Sequence, residues 1–526
     1  MHKIPTARLK RWAAVSGVIA VGGGVAVGEL VAAIFSPSLS PITAVGGAVI
    51  DSFPPGVKDW AVGLFGTADK LVFIMVLCAV LLGMAVIAGV AEFSRRWAGV
   101  AIVAVFGAIG IAGVASRSGS SAPSLLLPVL DAVLAAVLLT YFSRAAQRSG
   151  MALGDGSAPA VSAAPAPAAA TAARRKFLGS LAFATAAGAV AAIAAGTVRS
   201  AGAVTTSARN LIRLPKPAVA AKAPAVSANI NLPGLTPLVT DNANFYRIDT
   251  ALVVPFVNPD GWKLRITGMV DHQLEFTLDQ ILAMPMIEQY ITIACVSNEV
   301  GGDLIGNARW LGVPVKSLLA QAGVQPGANM IFSTSVDGFT ASTPLEAMTD
   351  GRAAVLAVGM NGEPLPAEHG FPARLIVPGL YGFVSATKWI SEIKVSSFGK
   401  DVAYWSTRGW SDHGPIKMSS RIDTPRPGAV VTAGELVLGG MAWAQGDGVS
   451  AVQVRVDGGE WIDAVLATGI SKNTWVQWRA TVTLAVGAHN VQARAKNVSG
   501  QWQIEAETPV APDGSTGLHT VNVTAK

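Results

Sequence analysis

Four segments of the chain, roughly 12–35, 69–91, 98–115 and 124–142, are apolar over lengths that cross a bilayer's hydrocarbon core. One such run would fit a buried core helix of a soluble protein. Four crowded into the first 142 residues point to a membrane module. A fifth run, roughly 177–198, is weaker and rich in Ala and Gly. The composition agrees: 51% of the 526 residues are apolar and only 14% charged, unusual for one soluble globule. A chain of this length also predicts several domains.

The charges beside the runs set an orientation. Lys3, Arg8, Lys10 and Arg11 precede the first, and Arg95 and Arg96 lie between the second and third. Arg144, Arg148, Arg174, Arg175 and Lys176 lie between the fourth and fifth. The intervening loops at 36–68 and 116–123 carry few positive charges. The positive-inside rule then predicts a cytoplasmic N-terminus and everything after the fifth run outside. The formal charge of +6 is read as this topology signal, not as nucleic-acid binding. Glu29 and Asp131 are the main ionisable groups in the runs, and both are expected at span ends. So few polar groups argue against a transporter.

Residues 149–173 form an Ala/Pro/Ser linker. The next stretch, "ARRKFLGSLAFATAAGAVAAIAAG", resembles a twin-arginine export signal placed internally. Its alternative is that Arg174 and Arg175 are ordinary topology anchors. "SAGA" at 200–203 could be a cleavage site, and the helix could equally stay as an anchor.

From about 228 the pattern changes. "FTLDQILAM" places Thr277 and Gln280 at capping-box spacing, predicting a helix start. "VPVKSLLAQAGV" reads as a helix with Pro314 near its start and Gly323 past its end. Strands alternating with short helices predict an α+β domain over about 228–415. Beyond it, evenly spaced strands with Gly/Asp turns predict an immunoglobulin-type β-sandwich over 420–526. The fold class is therefore multi-domain: transmembrane helices over 1–148, the linker, a signal-like fifth helix over 174–200, an α+β domain and a C-terminal sandwich.

The chain has two cysteines, Cys78 in an apolar run and Cys295 at the end of the strand "YITIAC". Three readings are open for Cys295: an inert buried thiol, a nucleophile with a base brought near by the fold, or a thiolate metal ligand. Zinc and iron–sulfur sites need several cysteines. No histidine occurs between His2 and His272, so the runs hold no bis-histidine haem, and no Cys-x-x-Cys-His occurs for covalent haem. The expected redox inventory therefore excludes haem and iron–sulfur clusters.

Three blocks, "NFYRIDTALVVP", "TIACVSNEVGGDLIGNARWLGVPVKSLL" and "MNGEPLPAEHGFPARLIVPGLYGFVSATKWISEIKV", resemble the sulfite oxidase family of molybdenum enzymes. The resemblance covers roughly 240–526, and the sandwich looks like that family's dimerisation domain. It implies that Cys295 binds molybdenum through its thiolate, beside the dithiolene of one pyranopterin. It implies that Arg247 faces an anionic substrate; the alternative is a surface ion pair with Asp249. It implies a substrate-pocket role for Trp310, otherwise a core residue. Tyr246, His369, Arg374, Ser385, Thr387 and Lys388 match residues that hold the pterin and its phosphate. Arg309 matches more weakly, since it could simply stack on Trp310. Two departures stand out. Glu299 and Val300 occupy a segment where sulfite oxidases carry basic residues, and Val358 and Gly359 stand where a tyrosine is common.

The resulting expectation is a membrane-anchored, extracytoplasmic molybdopterin oxidoreductase. It would transfer an oxygen atom by sulfite oxidation or by reduction of a sulfoxide or similar oxide. A separate cytochrome or quinone-linked protein would exchange its electrons, and the C-terminal domain would mediate a homodimer. The rival class is a non-enzymatic membrane-anchored surface protein that binds a partner and has an inert Cys295.

Overall fold

The structure is a computed structural model, and it describes residues 7–35, 40–53, 57, 64–65, 69–116, 122–151, 167–200, 209–255 and 257–526. Expectations for Lys3, for linker residues 152–166 and for the small-residue stretch at 201–203 lie outside the described residues. The chain divides into two compact units, one of residues 1–204 with 251–256, the other of 205–250 with 257–526.

The first unit is helical. Its helices are α1 (Ala7–Phe35), α2 (Pro41–Ser52), α3 (Asp69–Ser94), α4 (Ala98–Ala115), α5 (Ala122–Met151) and α6 (Pro167–Ser200). All but α2 carry a run long and apolar enough to cross a membrane, by length and composition. α1 packs against α3, α5 and α6. Small residues let the axes approach. A Cβ on Gly17 would lie 2.1 Å from the Ala85 carbonyl oxygen on α3, so only glycine fits there. The core joins Ala20, Ala88, Leu139, Phe142, Phe177 and Leu181. Phe177, directly after the Arg-Arg-Lys run, meets Trp12 edge to face at 6.0 Å.

The carboxyls of these helices are not at exposed span ends. Glu29, Glu92 and Asp131 are all buried. Two of them cap helices. Glu29 Oε1 accepts from Ser40 Oγ (2.9 Å) and from the Ile42 amide (3.0 Å) at the start of α2. Glu92 accepts from the amides of Trp97, Gly99 and Val100 at the start of α4. Both place negative charge where free amides and the helix dipole favour it.

The second unit is α+β. One mixed sheet runs Leu274–Thr277, Lys263–Gly268, Ile390–Ser396, Met330–Ser335, Thr340–Pro344. A second sheet runs Ile287–Ala294, Ile305–Pro314, Val355–Met360, Glu363–Pro364, with Arg374–Ile376 also paired to Val355–Met360. The capping box forms: the Gln280 amide donates to Thr277 Oγ1, and the Thr277 amide donates to Gln280 Oε1. Helix Val315–Ala322 stops at Gly323, whose φ of 69° suits glycine.

After residue 418 the chain is all strand and turn. A four-stranded and a five-stranded sheet share one apolar core that includes Leu438, Val452, Trp478, Val491 and Val521. This β-rich part is bonded to the strand that leads to Cys295: Trp475 donates its amide to Thr292 Oγ1 (2.9 Å), and the Thr292 amide donates to the Asn473 carbonyl (3.0 Å).

Candidate active site

Strand Ile287–Ala294 buries Ile291 and Ile293 in the core and delivers Cys295 at its end. The loop that follows is fixed by its own polar groups. The Cys295 amide donates to the Leu304 carbonyl (2.9 Å), and the Leu304 amide donates to Asn298 Oδ1 (2.8 Å). It is also gripped from the C-terminal part. Arg421 Nη1 donates to the Gly302 carbonyl (2.8 Å), and Ser515 Oγ donates to the Asn298 carbonyl (3.0 Å).

Cys295 lines a cavity of about 120 Å³. Tyr246, His369, Arg374 and Lys388 line it too. These residues come from distant parts of the sequence: the segment before the first strand, the 3-10 turn Ala367–His369, the start of strand Arg374–Ile376, and the loop after the short helix Gly382–Ser385. Burial pushes the Cys295 thiol up, so without a metal it is held protonated. Burial also pushes the Tyr246 phenol well above its ordinary range.

Arg374 is the most informative group. Its Nη1 and Nη2 donate only to the carbonyls of His369 (3.1 Å) and Ala386 (3.3 Å). Its guanidinium carbon lies 5.3 Å from the Trp310 ring centroid, and its buried Nε has no hydrogen-bond partner. A buried cation with an unsatisfied donor and no carboxylate partner among the described residues is costly unless an anion fills the site. Lys388 donates to Asp249 Oδ2 (2.6 Å) and to the Glu368 carbonyl (3.1 Å). Burial lowers its pKa to about 8 against the pull of Asp249. His369 is held neutral, its pKa lowered to about 4 chiefly by burial. Its Nε2 lies 3.0 Å from the Asn242 carbonyl, which only accepts, so Nε2 carries the proton and Nδ1 is an acceptor. A thiol, an unneutralised guanidinium, an ammonium and a neutral imidazole acceptor fit a metal–pterin bearing an anionic phosphate.

The other expected residues stand behind or beside this cavity. Trp310 is fully buried; its indole donates to the Ile291 carbonyl (3.1 Å), and it packs on Phe245. It backs Arg374 rather than facing the cavity, because its strand turns it into the core. Ser385 donates to the Leu380 and Tyr381 carbonyls within its own turn. Thr387 bonds Ser333 (2.7 Å). Arg309 pairs with Glu288 at 3.4 Å. Arg247 is exposed and its Nε donates to Asp249 Oδ2 (2.8 Å), the ion pair foreseen as its alternative.

Several cavity residues carry no signal in isolation. Asp249 binds both Arg247 and Lys388. Phe339, Phe383, Trp405 and Trp410 supply aromatic walls. The density of rings in "YWSTRGW" is the one sequence clue to the last two.

Residues 251–405 match the family described as oxidoreductase molybdopterin binding domain. The chain is 29% identical over 321 residues to the mitochondrial sulfite oxidase of Homo sapiens, covering 52% of this chain and 58% of the human protein. It thus spans little more than half of that relative's length. Sulfite oxidase of Arabidopsis thaliana is 26% identical over 324 residues, covering 48% of this chain and 81% of the plant protein. The uncharacterized oxidoreductase YuiH of Bacillus subtilis is 32% identical over 153 residues, which are 29% of this chain and 74% of YuiH. Among solved structures, the sulfane dehydrogenase SoxCD from Paracoccus pantotrophus aligns with a TM-score of 0.48 at 24% identity, covering 55% of this chain and 82% of that one. With the molybdopterin binding domain matched at 251–405, a relative 32% identical and covered over 74% of its length, and sulfite oxidases similar along half of the chain, the chain belongs to the sulfite oxidase family of molybdopterin oxidoreductases.

Proposed function

We propose that the protein is a membrane-anchored, extracytoplasmic molybdenum–pterin oxidoreductase that transfers an oxygen atom at a small sulfur oxide. The observation that carries this reading is the shared cavity of Cys295 and the buried, unneutralised Arg374. When bound, the cofactor supplies two-electron oxygen-atom exchange. The chain's own residues hold and tune it. Cys295 gives up its thiol proton on becoming a ligand, as metal-bound thiols do. Arg374 and Lys388 would hold the phosphate, with charge-assisted bonds that Arg374 Nε is free to add. His369 Nδ1 would offer an acceptor to the cofactor, and Tyr246 would wall it. Ser385 and Thr387 fix the turn that carries Lys388, while Trp310 and Arg309 brace strand Ile305–Pro314.

The geometry favours an organic sulfoxide or similar neutral oxide over a bare dianion. Arg247 is tied to Asp249, and the cavity is walled by Phe339, Phe383, Trp405 and Trp410. Sulfite is the second reading, favoured by the named activity of the sulfite oxidase relatives. The positive-inside pattern supports an outside location for the catalytic unit. A separate electron carrier and a homodimer through the immunoglobulin-type C-terminal domain complete the proposal.

The test is metal and pterin analysis of the purified chain, then two assays: dimethyl sulfoxide or methionine sulfoxide with reduced viologen, and sulfite with ferricyanide. Stoichiometric molybdenum with faster sulfoxide turnover is expected. A folded chain expressed in molybdate-replete cells without molybdenum would leave the non-enzymatic binding protein as the better reading.

A further inference from the structure

The helical unit contains a cavity of about 310 Å³ walled by α1 to α5. Its lining is apolar except for Asp131. Asp131 is 8% exposed, and its Oδ1 has no hydrogen-bond partner among the described residues. The other two buried carboxyls of this unit are accounted for, since Glu29 and Glu92 cap helix starts. Asp131 caps neither end: it is the tenth residue of α5, well inside the helix. Its carboxyl is seated on Gly28 of α1, where a Cβ would fall 1.5 Å from Oδ1. An ionisable group inside a membrane bundle, with an oxygen unpartnered among the described residues, marks a ligand or proton site.

We propose that this cavity binds the ring of a membrane quinone or quinol, with Asp131 hydrogen-bonded to a ring oxygen. An acyl chain has no atom to satisfy the carboxyl. A phospholipid head would bring a phosphate against it. A soluble ion has no polar wall to hold it. A quinone offers a flat apolar ring, ring oxygens for the carboxyl and an apolar tail. Phe106 and Met84 in the wall give the ring an aromatic and a polarisable contact. The lining runs outward to Val80 and Ile109, which are 53% and 46% exposed, so the tail has an apolar exit toward lipid.

The choice of a redox-active ring rests on the oxidoreductase reading above. The coupled reaction balances. A quinol releases two electrons, which leave by way of the separate electron carrier, and two protons, one through the Asp131 carboxylate and one to water. The sulfur oxide takes up two electrons and two protons, leaving a thioether and water.

The test uses the full chain in phosphatidylcholine nanodiscs with decylubiquinone and a short-tailed menaquinone analogue as probes. Saturable binding of one of them near one per chain is expected. Asp131→Leu should weaken it by about tenfold, the loss of one hydrogen bond in a dry site. Val80→Trp, which fills the cavity from its outer side, should abolish it, and it serves if Asp131→Leu does not fold. Non-saturable partitioning, unchanged affinity in folded Asp131→Leu, or copurification of a diacylglycerol in the cavity instead would overturn the proposal. Binding is measured with and without molybdenum in the growth medium. Intact quinone binding in a chain that never carries molybdenum would sink the catalytic reading and leave the site standing.

Discussion

Cys295 and Lys388 carry the sharpest consequences at the scale of single residues. Cys295→Ser is expected to fold and to lose essentially all turnover, because a hydroxyl donates to the metal more poorly than a thiolate. Wild-type rates in that variant would remove the ligand assignment; Cys78→Ser, in the helical unit, is the matched control. The pH dependence follows from Lys388. Its pKa is lowered from 10.5 to about 8, so in the cofactor-free chain it loses its proton as pH rises through about 8. Above that pH one cation facing the phosphate is gone, and cofactor uptake should weaken; below it, the charge is in place. Uptake of molybdopterin by the cofactor-free chain, followed from pH 6 to 9, should fall across this window. In Lys388→Arg the fall should vanish, since the guanidinium stays charged. Equal decline in both variants would assign the effect elsewhere. Cys295, Arg374 and Lys388 were picked out in local sequence blocks, and the fold brings them to one cavity. Asp249 was visible only as a partner for Arg247. Its bond to Lys388 spans 139 residues of sequence and depends on the fold.

Elements were legible where one periodicity dominates. The apolar runs gave α1, α3, α4, α5 and α6, and Thr277 with Gln280 marked a helix that forms its capping box. Helix α2 was not legible. It has 12 residues, too few to span, and lies in a stretch read as a loop. Its start does carry local signals, Ser40 as N-cap accepting from the Thr43 amide (3.2 Å) and Pro41 at the first position, and Glu29 in α1 adds a bond to the Ile42 amide. Helix α6 carries the Arg pair with its two readings. It begins at Pro167, before the arginines, and buries Phe177 and Leu181 among the other helices, a packing compatible with either reading of the pair. Replacing Arg174 and Arg175 together by Lys keeps the charge and removes the guanidinium pair. If export receptors read that pair, the second unit should become protease-accessible only after cell lysis. Normal surface accessibility in the double variant would make the pair a topology anchor alone.

At the scale of the whole molecule, the β-rich C-terminal part reaches the candidate active site. It holds the loop that carries Cys295. Arg421 joins the two: its Nη1 reaches the Gly302 carbonyl, its Nη2 donates to Thr236 Oγ1 (3.0 Å), and its Nε donates to Asp423 (2.6 Å). Both members of that ion pair are nearly buried, with 9% and 5% of their side chains exposed. Removing the guanidinium leaves a buried carboxylate whose remaining donor among the described residues is the Thr236 amide at 3.1 Å. Arg421→Ala should therefore cost about 3–5 kcal/mol of stability, as for other broken buried pairs. Ser515→Ala removes one neutral bond to the same loop and should cost about 1 kcal/mol. The two can be told apart from a purely local defect by what happens at the cavity. If the C-terminal part clamps the cysteine loop, Arg421→Ala should lose molybdenum on dilution or dialysis at temperatures where its circular dichroism is still native. Ser515→Ala should do so more weakly. Loss of metal only in step with global unfolding would show that Arg421 stabilises the molecule without positioning Cys295. Full metal retention with wild-type stability would show that the loop keeps its shape through the Asn298 and Leu304 bonds alone.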